Sequence, residues 1–208
     1  PNARSTAVAV AKTRHLDKAQ VVAAAADIAD QNGFDALTLA AVAQKLDVRI
    51  PSLYNHVQSL AALKREIGLL ALRDLEMLLT RAAAGRQGAD ALLAIAKAYY
   101  RYDQEHPGRY LAAQRPAAES DQEANSAGTR VVDLLRDVMK PFGLTPRDEI
   151  HAVRGFRSLV HGFVGLNAAG GFGLPVDVER SLERALDWFV AGLGESSSRT
   201  RRAPTRRA

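Results

Sequence analysis

Residues 37–57 read LTLAAVAQKLDVRIPSLYNHV, and the reading of this stretch decides the fold. Leu39, Val42 and Leu46 recur at helical spacing behind Thr38, whose side-chain oxygen suits the open N–H groups of a helix start. Ala40, Ala41 and Ala43 are small enough for close packing. Asp47-Val48-Arg49 then breaks the pattern. Pro51 has no N–H and is tolerated only in the first turn of a new helix, so a second helix starts near Ile50. Leu53 and Val57, four apart, share the face that docks on the first helix, leaving Arg49, Ile50, Ser52, Tyr54, Asn55 and His56 on the outer side. Two short helices joined by a tight turn, with a polar and aromatic outer strip, match the geometry of a helix-turn-helix reader of DNA.

Working outward toward the N-terminus, Asp17 followed by Gln20 forms a capping box, and Val21, Ala25, Ile28 and Ala29 make a helical stripe that Gly33 ends. Phe34 and Leu37 close a three-helix unit. The motifs LDK, LT, LAAVAQKLDV and PSLYNHV follow in this order, with these gaps, over roughly the first third of the chain. In them the chain resembles the tetracycline-repressor-like (TetR) family of bacterial one-component transcriptional regulators. The resemblance implies an all-α fold, with an N-terminal helix-turn-helix DNA-binding domain and a larger C-terminal helical domain for ligand binding and dimerisation. It also implies a homodimer that binds double-stranded DNA at a near-palindromic operator and is released by a small-molecule effector, most simply as a repressor.

Carried onto this sequence, base reading falls to Ser52, Tyr54, Asn55 and Arg49 beside Ile50 and Pro51, and phosphate contacts fall to Thr38, Lys45 and His56. The Tyr54 ring has an alternative role in packing the helix pair. Four positions depart from the family pattern. Asp47 replaces a turn glycine, and Asp is among the few side chains that visit left-handed geometry at modest cost. Arg49 takes the N-cap position, Ala40 replaces a polar or basic residue, and Leu60 replaces a phosphate-binding lysine. Compensating charge is expected from Arg49, Lys45, Lys18 and the arm residues Arg4, Lys12 and Arg14.

With 208 residues and 47% hydrophobic content, the chain has material for a small DNA-binding domain and a larger helical one. The expected division is a flexible basic arm at 1–15, a DNA-binding domain at 16–66, a helical domain at 67–195 and a disordered arginine-rich tail at 196–208. Cysteine is absent, which excludes disulfides, thiolate metal sites and a cysteine nucleophile. No apolar run is long enough for a membrane span, so a soluble cytoplasmic protein with no membrane partner is expected. The net charge of +5 equals the five arginines of residues 196–208. Residues 1–66 hold eight basic and six acidic side chains, whereas 67–195 hold fifteen and seventeen, a mild asymmetry that agrees with DNA at the N-terminal end.

From Ser59 onward the pattern is helical. Leu60, Leu63, Ile67, Leu70, Leu75, Leu78 and Leu79 line a long helix to about Gly85, suited to coupling two domains. Further helices are expected near 89–105, 108–115, 121–141, 146–170 and 176–193, separated by proline and glycine breakers. Ser158, Gly162, Gly165 and Ala169 place small residues about a turn apart, and Val178, Leu182, Ala185, Phe189 and Leu193 form an apolar stripe. Both are candidates for the dimer interface, with core packing as the alternative. Val160-His161-Gly162 resembles the motif of a C-terminal subtype of the family named for Trp-His-Gly, with valine in place of the tryptophan. Tyr99, Tyr102, Tyr110, Met139, Phe142, Phe156, His161 and Phe163 are candidates for an apolar ligand pocket, and ordinary core is their alternative. Arg101 and Arg154 are candidates to meet an anionic group.

No cofactor, metal site or catalytic residue is expected. The glycines at 170, 171 and 173 follow a helix and lack a phosphate-gripping lysine. The five histidines show no ligand spacing, and no G-x-S-x-G supports a nucleophile elbow. Two rivals stay open: a dimeric DNA-binding protein with no effector, and a ligand-binding or protein-interaction module that has lost specific DNA binding.

Overall fold

The computed structural model describes residues 16–202, with side chains through residue 194. Helix α1 (Lys18–Asn32) starts in the expected capping box. The Gln20 N–H donates to the Asp17 carboxylate at 2.7 Å, and the Asp17 N–H donates to the Gln20 side-chain oxygen at 3.1 Å. Helix α2 (Leu39–Leu46) is capped by Thr38, whose hydroxyl accepts from the Ala41 N–H at 3.2 Å. Asp47 ends it at φ +54° and ψ +47°, the left-handed conformation that the missing glycine would have supplied. Helix α3 (Ile50–Leu53) has Pro51 in its first turn. Hydrogen-bonded turns carry the chain on, with the His56 N–H donating to the Leu53 carbonyl at 2.9 Å.

Ser59 caps the long helix α4 (Leu60–Ala83). Then follow α5 (Gly88–Glu105), α6 (Pro107–Gln114), α7 (Gln122–Met139), a 3-10 turn at Lys140–Phe142, α8 (Pro146–Ala168) and α9 (Val178–Arg202). Among the described residues there is no strand.

Two hydrophobic cores form, and α4 enters both. The head core gathers Val21, Ile28, Phe34, Leu37, Val42 and Leu53 around Leu63 and Ile67 of α4. The body core packs Leu75 and Leu79 of α4 with Leu92, Ile95, Leu135, Met139, Phe156 and Val160. Helix α6 joins the two as well, because its Ala112 is part of the head core. At its start Gly108 lies so close to α1 that a Cβ there would sit 2.2 Å from the Ala29 carbonyl. Beside this contact Asp30 accepts from the Arg109 N–H at 2.8 Å and lies 3.1 Å from His106 Nδ1, while Arg109 Nη2 donates to Asp27 at 2.7 Å.

The α9 stripe divides between the two roles expected of it. Leu182 and Leu193 are buried in this chain's own core, joined there by Leu186. Phe189 packs on Phe156 with ring centroids 6.3 Å apart, and Val178 and Ala185 are half-buried. Leu182 and Leu193 of the stripe are therefore covered from within, where α9 packs on α5 and α8, while Val178, Ala185 and Phe189 keep part of their surface exposed. Hydrophobic spacing reports that a face is covered, not by whose surface.

The tail reading changes too. Helix α9 continues to Arg202, so residues 196–202 are helical rather than disordered; no proline or glycine interrupts them before Pro204. The arm with Arg4, Lys12 and Arg14, like residues 203–208, lies outside the described residues.

Candidate functional site

Helix α3 presents one face to α2 and the other outward. Leu53 and Val57 are buried, whereas Arg49, Ile50, Pro51, Tyr54 and Asn55 are exposed and Ser52 and His56 are partly so. Tyr54 is 54% exposed, so its ring does not serve mainly to pack the helix pair. Thr38 is exposed at the start of α2. The cations around this face are not equally available. Lys45 is 3.3 Å from the Asp27 carboxylate and Lys18 is 2.8 Å from Glu66, while Arg49 has no carboxylate partner among the described residues. Leu60 is half-buried against the head core and Ala40 is exposed.

Between head and body lies a cavity of about 720 Å³. Helix α4 supplies Lys64, Arg65, Gly68, Leu69, Leu72 and Leu75 along one wall. Helix α7 faces it with Asn125, Gly128, Thr129, Val131 and Val132, and the loop from Arg115 to Asp121 closes another side. Phe34 of the head core also lines it, with the Lys64 ammonium 5.1 Å and the Arg115 guanidinium 5.4 Å from its ring centroid. The lining is completed by Tyr99 of α5 and Arg157 and His161 of α8, of which Tyr99 is buried and Arg157 exposed.

Charge is distributed unevenly around this cavity. Arg65 grips Asp121 through two nitrogens, one at 2.7 Å, and reaches Glu123 at 3.1 Å. Those contacts raise the Arg65 pKa and hold the Asp121 carboxyl below its usual value; the backbone N–H of Ala124 adds to the latter. Arg73 also bonds Glu123, at 2.7 Å, and Arg130 bonds Glu76 at 2.8 Å, so a row of ion pairs ties α7 to α4. Arg115 is paired with Asp35 at 2.6 Å. Lys64 and Arg157 have no carboxylate within ion-pair distance among the described residues.

Burial governs the protonation of His161, Tyr99 and Tyr110. His161 is held neutral, its pKa lowered to about 4, first by burial and then by the charge of Arg157. Burial likewise pushes Tyr99 up to about 12 and Tyr110 well above the ordinary phenol value. With both groups neutral, the Tyr110 O–H donates to His161 Nδ1; the opposite tautomer would bury the Tyr110 proton without a partner. That leaves His161 Nε2–H as the donor still to be satisfied. The Tyr99 hydroxyl has no hydrogen-bond partner among the described residues, and its ring sits edge-on to His161 at 5.3 Å.

Of the eight aromatic, histidine and methionine pocket candidates, Tyr99 and His161 line the cavity. Tyr110 stands behind His161, and Tyr102 turns toward Asp74 at 3.5 Å and stacks edge-on to His106. Met139 and Phe156 are body core, Phe142 faces Gly88, and Phe163 packs on Phe172. The cavity instead lies where α7 meets α4, with the loop from Arg115 to Asp121 along it. Arg101 and Arg154 are exposed and do not line it; Arg157 does. Sequence reasoning missed Arg65, Asp121, Gly128 and Arg157. A signal was present in Gly128, a mid-helix glycine that costs stability unless the missing side chain leaves useful space; a Cβ there meets nothing within 4 Å.

On α8 the small-residue row behaves differently from the α9 stripe. Ser158, Gly162, Gly165 and Ala169 are all exposed, and a Cβ at either glycine would meet nothing within 4 Å. On α9, Trp188 is 66% exposed with the Arg184 guanidinium over its ring. No helix among the described residues is long and apolar enough to cross a membrane.

Comparison with known proteins bears on both ends of the chain. Residues 92–189 match the family model described as "Tetracyclin repressor-like, C-terminal domain". The chain is 36% identical over 179 residues to the uncharacterized HTH-type transcriptional regulator YobS of Bacillus subtilis (strain 168), covering 86% of this chain and 93% of that one. It is 36% identical over 171 residues to the uncharacterized HTH-type transcriptional regulator Rv0681 of Mycobacterium tuberculosis (strain ATCC 25618 / H37Rv), covering 82% and 78%. Among solved structures, a single-residue variant of TetR from Acinetobacter baumannii AYE in complex with minocycline superposes with a TM-score of 0.65 at 23% identity, covering 90% of this chain and 99% of that one.

Proposed function

Because this chain belongs to the TetR family of transcriptional regulators, we propose that it is a homodimeric repressor whose DNA heads are controlled by a small molecule bound between α4 and α7. The observation that carries this reading is the composition of the cavity wall. One helix, α4, lines the cavity with Leu69 and Leu72 and packs the head with Leu63 and Ile67, and the head's own Phe34 is part of the lining. A molecule filling the cavity therefore touches the parts that set the position of α3. Each tenfold loss of operator affinity asks for about 1.4 kcal/mol of preference by the effector for the released form.

In this proposal Ser52, Tyr54, Asn55 and Arg49 read bases beside Ile50 and Pro51, and Thr38, His56 and Lys45 meet phosphates, the last after exchanging its contact with Asp27. Two such heads related by a two-fold axis face successive major grooves and require a near-palindromic operator. Such a protein works in the cytoplasm, where the DNA is. The test is selection from a random duplex library by the purified protein at roughly physiological salt with excess competitor DNA, conditions that suppress binding driven by phosphate charge alone. Enrichment of one inverted repeat is the expected result.

A second reading has its own support. Lys18 and Lys45 are neutralised by Glu66 and Asp27, and Leu60 and Ala40 contribute no charge, so the head is poor in unpaired cations among the described residues. A ligand-binding or protein-interaction dimer without specific DNA contacts fits that pattern. Selection that yields no repeat from a folded dimer would favour it.

A further inference from the structure

The cavity lining brings together three groups, Tyr99, Arg157 and His161, that can each give a hydrogen bond to a ligand and that have no protein acceptor among the described residues. Arg157 and His161 stand four residues apart on α8 and so share a face. Tyr99, Arg157 and His161 line one cavity, the Tyr99 and His161 ring centroids are 5.3 Å apart, and the Tyr110 hydroxyl reaches His161. Tyr110 occupies His161 Nδ1 and leaves Nε2 as the donor, and Tyr99 is only 2% exposed while its hydroxyl lacks a partner among the described residues. Leu69, Leu72, Leu75, Val131 and Val132 supply the apolar remainder. The other charges along the lining differ from Arg157: Arg65 and Arg115 are spent on carboxylates, and Lys64 lies over Phe34 on the head side.

Donors without an acceptor, one of them a guanidinium, do not suit a cation or a plain hydrocarbon. Of the three, Tyr99 is the buried one, and its hydroxyl gains by meeting an acceptor, while an anion adds the charge-assisted bond that the exposed Arg157 guanidinium can give. We propose that the effector is an organic anion, a carboxylate on an apolar body, with its carboxylate seated among Arg157, His161 Nε2–H and the Tyr99 hydroxyl and its body along the leucine and valine wall. This rests on the reading of the cavity as the effector site. Arg157 sets the preference for the anion, while His161 and Tyr99 orient the carboxylate.

The experiment uses the full chain and three matched pairs, octanoate with octanamide, naphthoate with naphthamide and indole acetate with indole acetamide, titrated by calorimetry. Each pair keeps the apolar body and exchanges only the charged group for a neutral one. Wild-type protein is expected to bind an acid at least about tenfold more tightly than its amide. Arg157→Met should abolish that preference and Arg157→Lys should retain part of it, and both variants should fold because Arg157 is exposed and is not part of the body core. Gly128→Phe, which fills the cavity from α7, should weaken acid and amide alike. If the amides match the acids while Gly128→Phe still weakens both, the cavity is the ligand site and the anion proposal is overturned. An acid preference that survives in Arg157→Met overturns the proposal as well. If neither series binds, or Gly128→Phe binds as wild type does, the cavity is not the effector site and both readings fall.

Discussion

His161 sits where burial and a neighbouring cation both oppose a second proton, and its folded pKa of about 4 lies below the ordinary 6.5. Between those values the unfolded chain takes up a proton that the folded chain refuses, so stability falls as the pH drops through that window and the loss levels off near the lower value. One such group is worth about 2 kcal/mol between roughly pH 7 and pH 5. Chemical denaturation of wild type and His161→Gln at those two pH values should show a smaller loss in the variant; equal losses would mean that His161 is not held neutral. Asp47 carries a second prediction at this scale. Its left-handed backbone costs an L-residue about 1 kcal/mol, so Asp47→Gly should leave stability within about 1 kcal/mol of wild type while Asp47→Val lowers it by more, measured by urea unfolding. The Asp47 turn was legible in the sequence because proline, aspartate and leucine spacing act locally. The donor set at Tyr99, Arg157 and His161 was not, because α5 and α8 are far apart in the chain and nothing local records that they meet.

At the scale of elements, the joint between α1 and α6 is a tight contact of head with body. Gly108 has no room for a methyl group against the Ala29 carbonyl, and backbone rather than a flexible side chain occupies the space. Gly108→Ala must push α6 away from α1 or distort one of them, at a cost of about 1–3 kcal/mol or more. At about 2–4 °C per kcal/mol for a chain of this size, the melting temperature should fall by several degrees. Calorimetry checks this, and an unchanged melting temperature would show that the joint yields freely. Element boundaries were legible almost throughout, since most breaks fall at a glycine, a proline or a capping residue. Which neighbour covers a helix was not. The apolar stripe of α9 reads the same whether α5 and α8 cover it or a second chain does, and the body core decides for the former at Leu182 and Leu193. Likewise the aromatic cluster from Tyr99 to Tyr110 reads as a pocket, yet helical geometry turns Tyr102 toward Asp74 and leaves Tyr99 alone of these on the cavity.

For the whole molecule, a two-fold dimer requires an outer face that can approach a copy of itself closely. The row Ser158, Gly162, Gly165 and Ala169 on α8 is exposed, as is Trp188 on α9, and we propose that these form such a face together with the part-exposed Val178, Ala185 and Phe189. Small residues let helix backbones approach, and an exposed aromatic supplies contact area, features that a self-complementary interface can use. Replacing Gly162 by arginine places a long cation on that row without disturbing the fold, because a Cβ there meets nothing within 4 Å. Light scattering at micromolar concentration should then show a dimer for wild type and a monomer for Gly162→Arg, with the helical content retained by circular dichroism. The same variant should lose operator binding far beyond the loss of one subunit's contacts. Two linked heads convert the second binding step into an intramolecular one, and a monomer forfeits that gain of roughly 10²–10⁴ in affinity. A Gly162→Arg protein that stays dimeric would move the two-fold axis to another surface and leave the spacing of the half-sites to be derived from there.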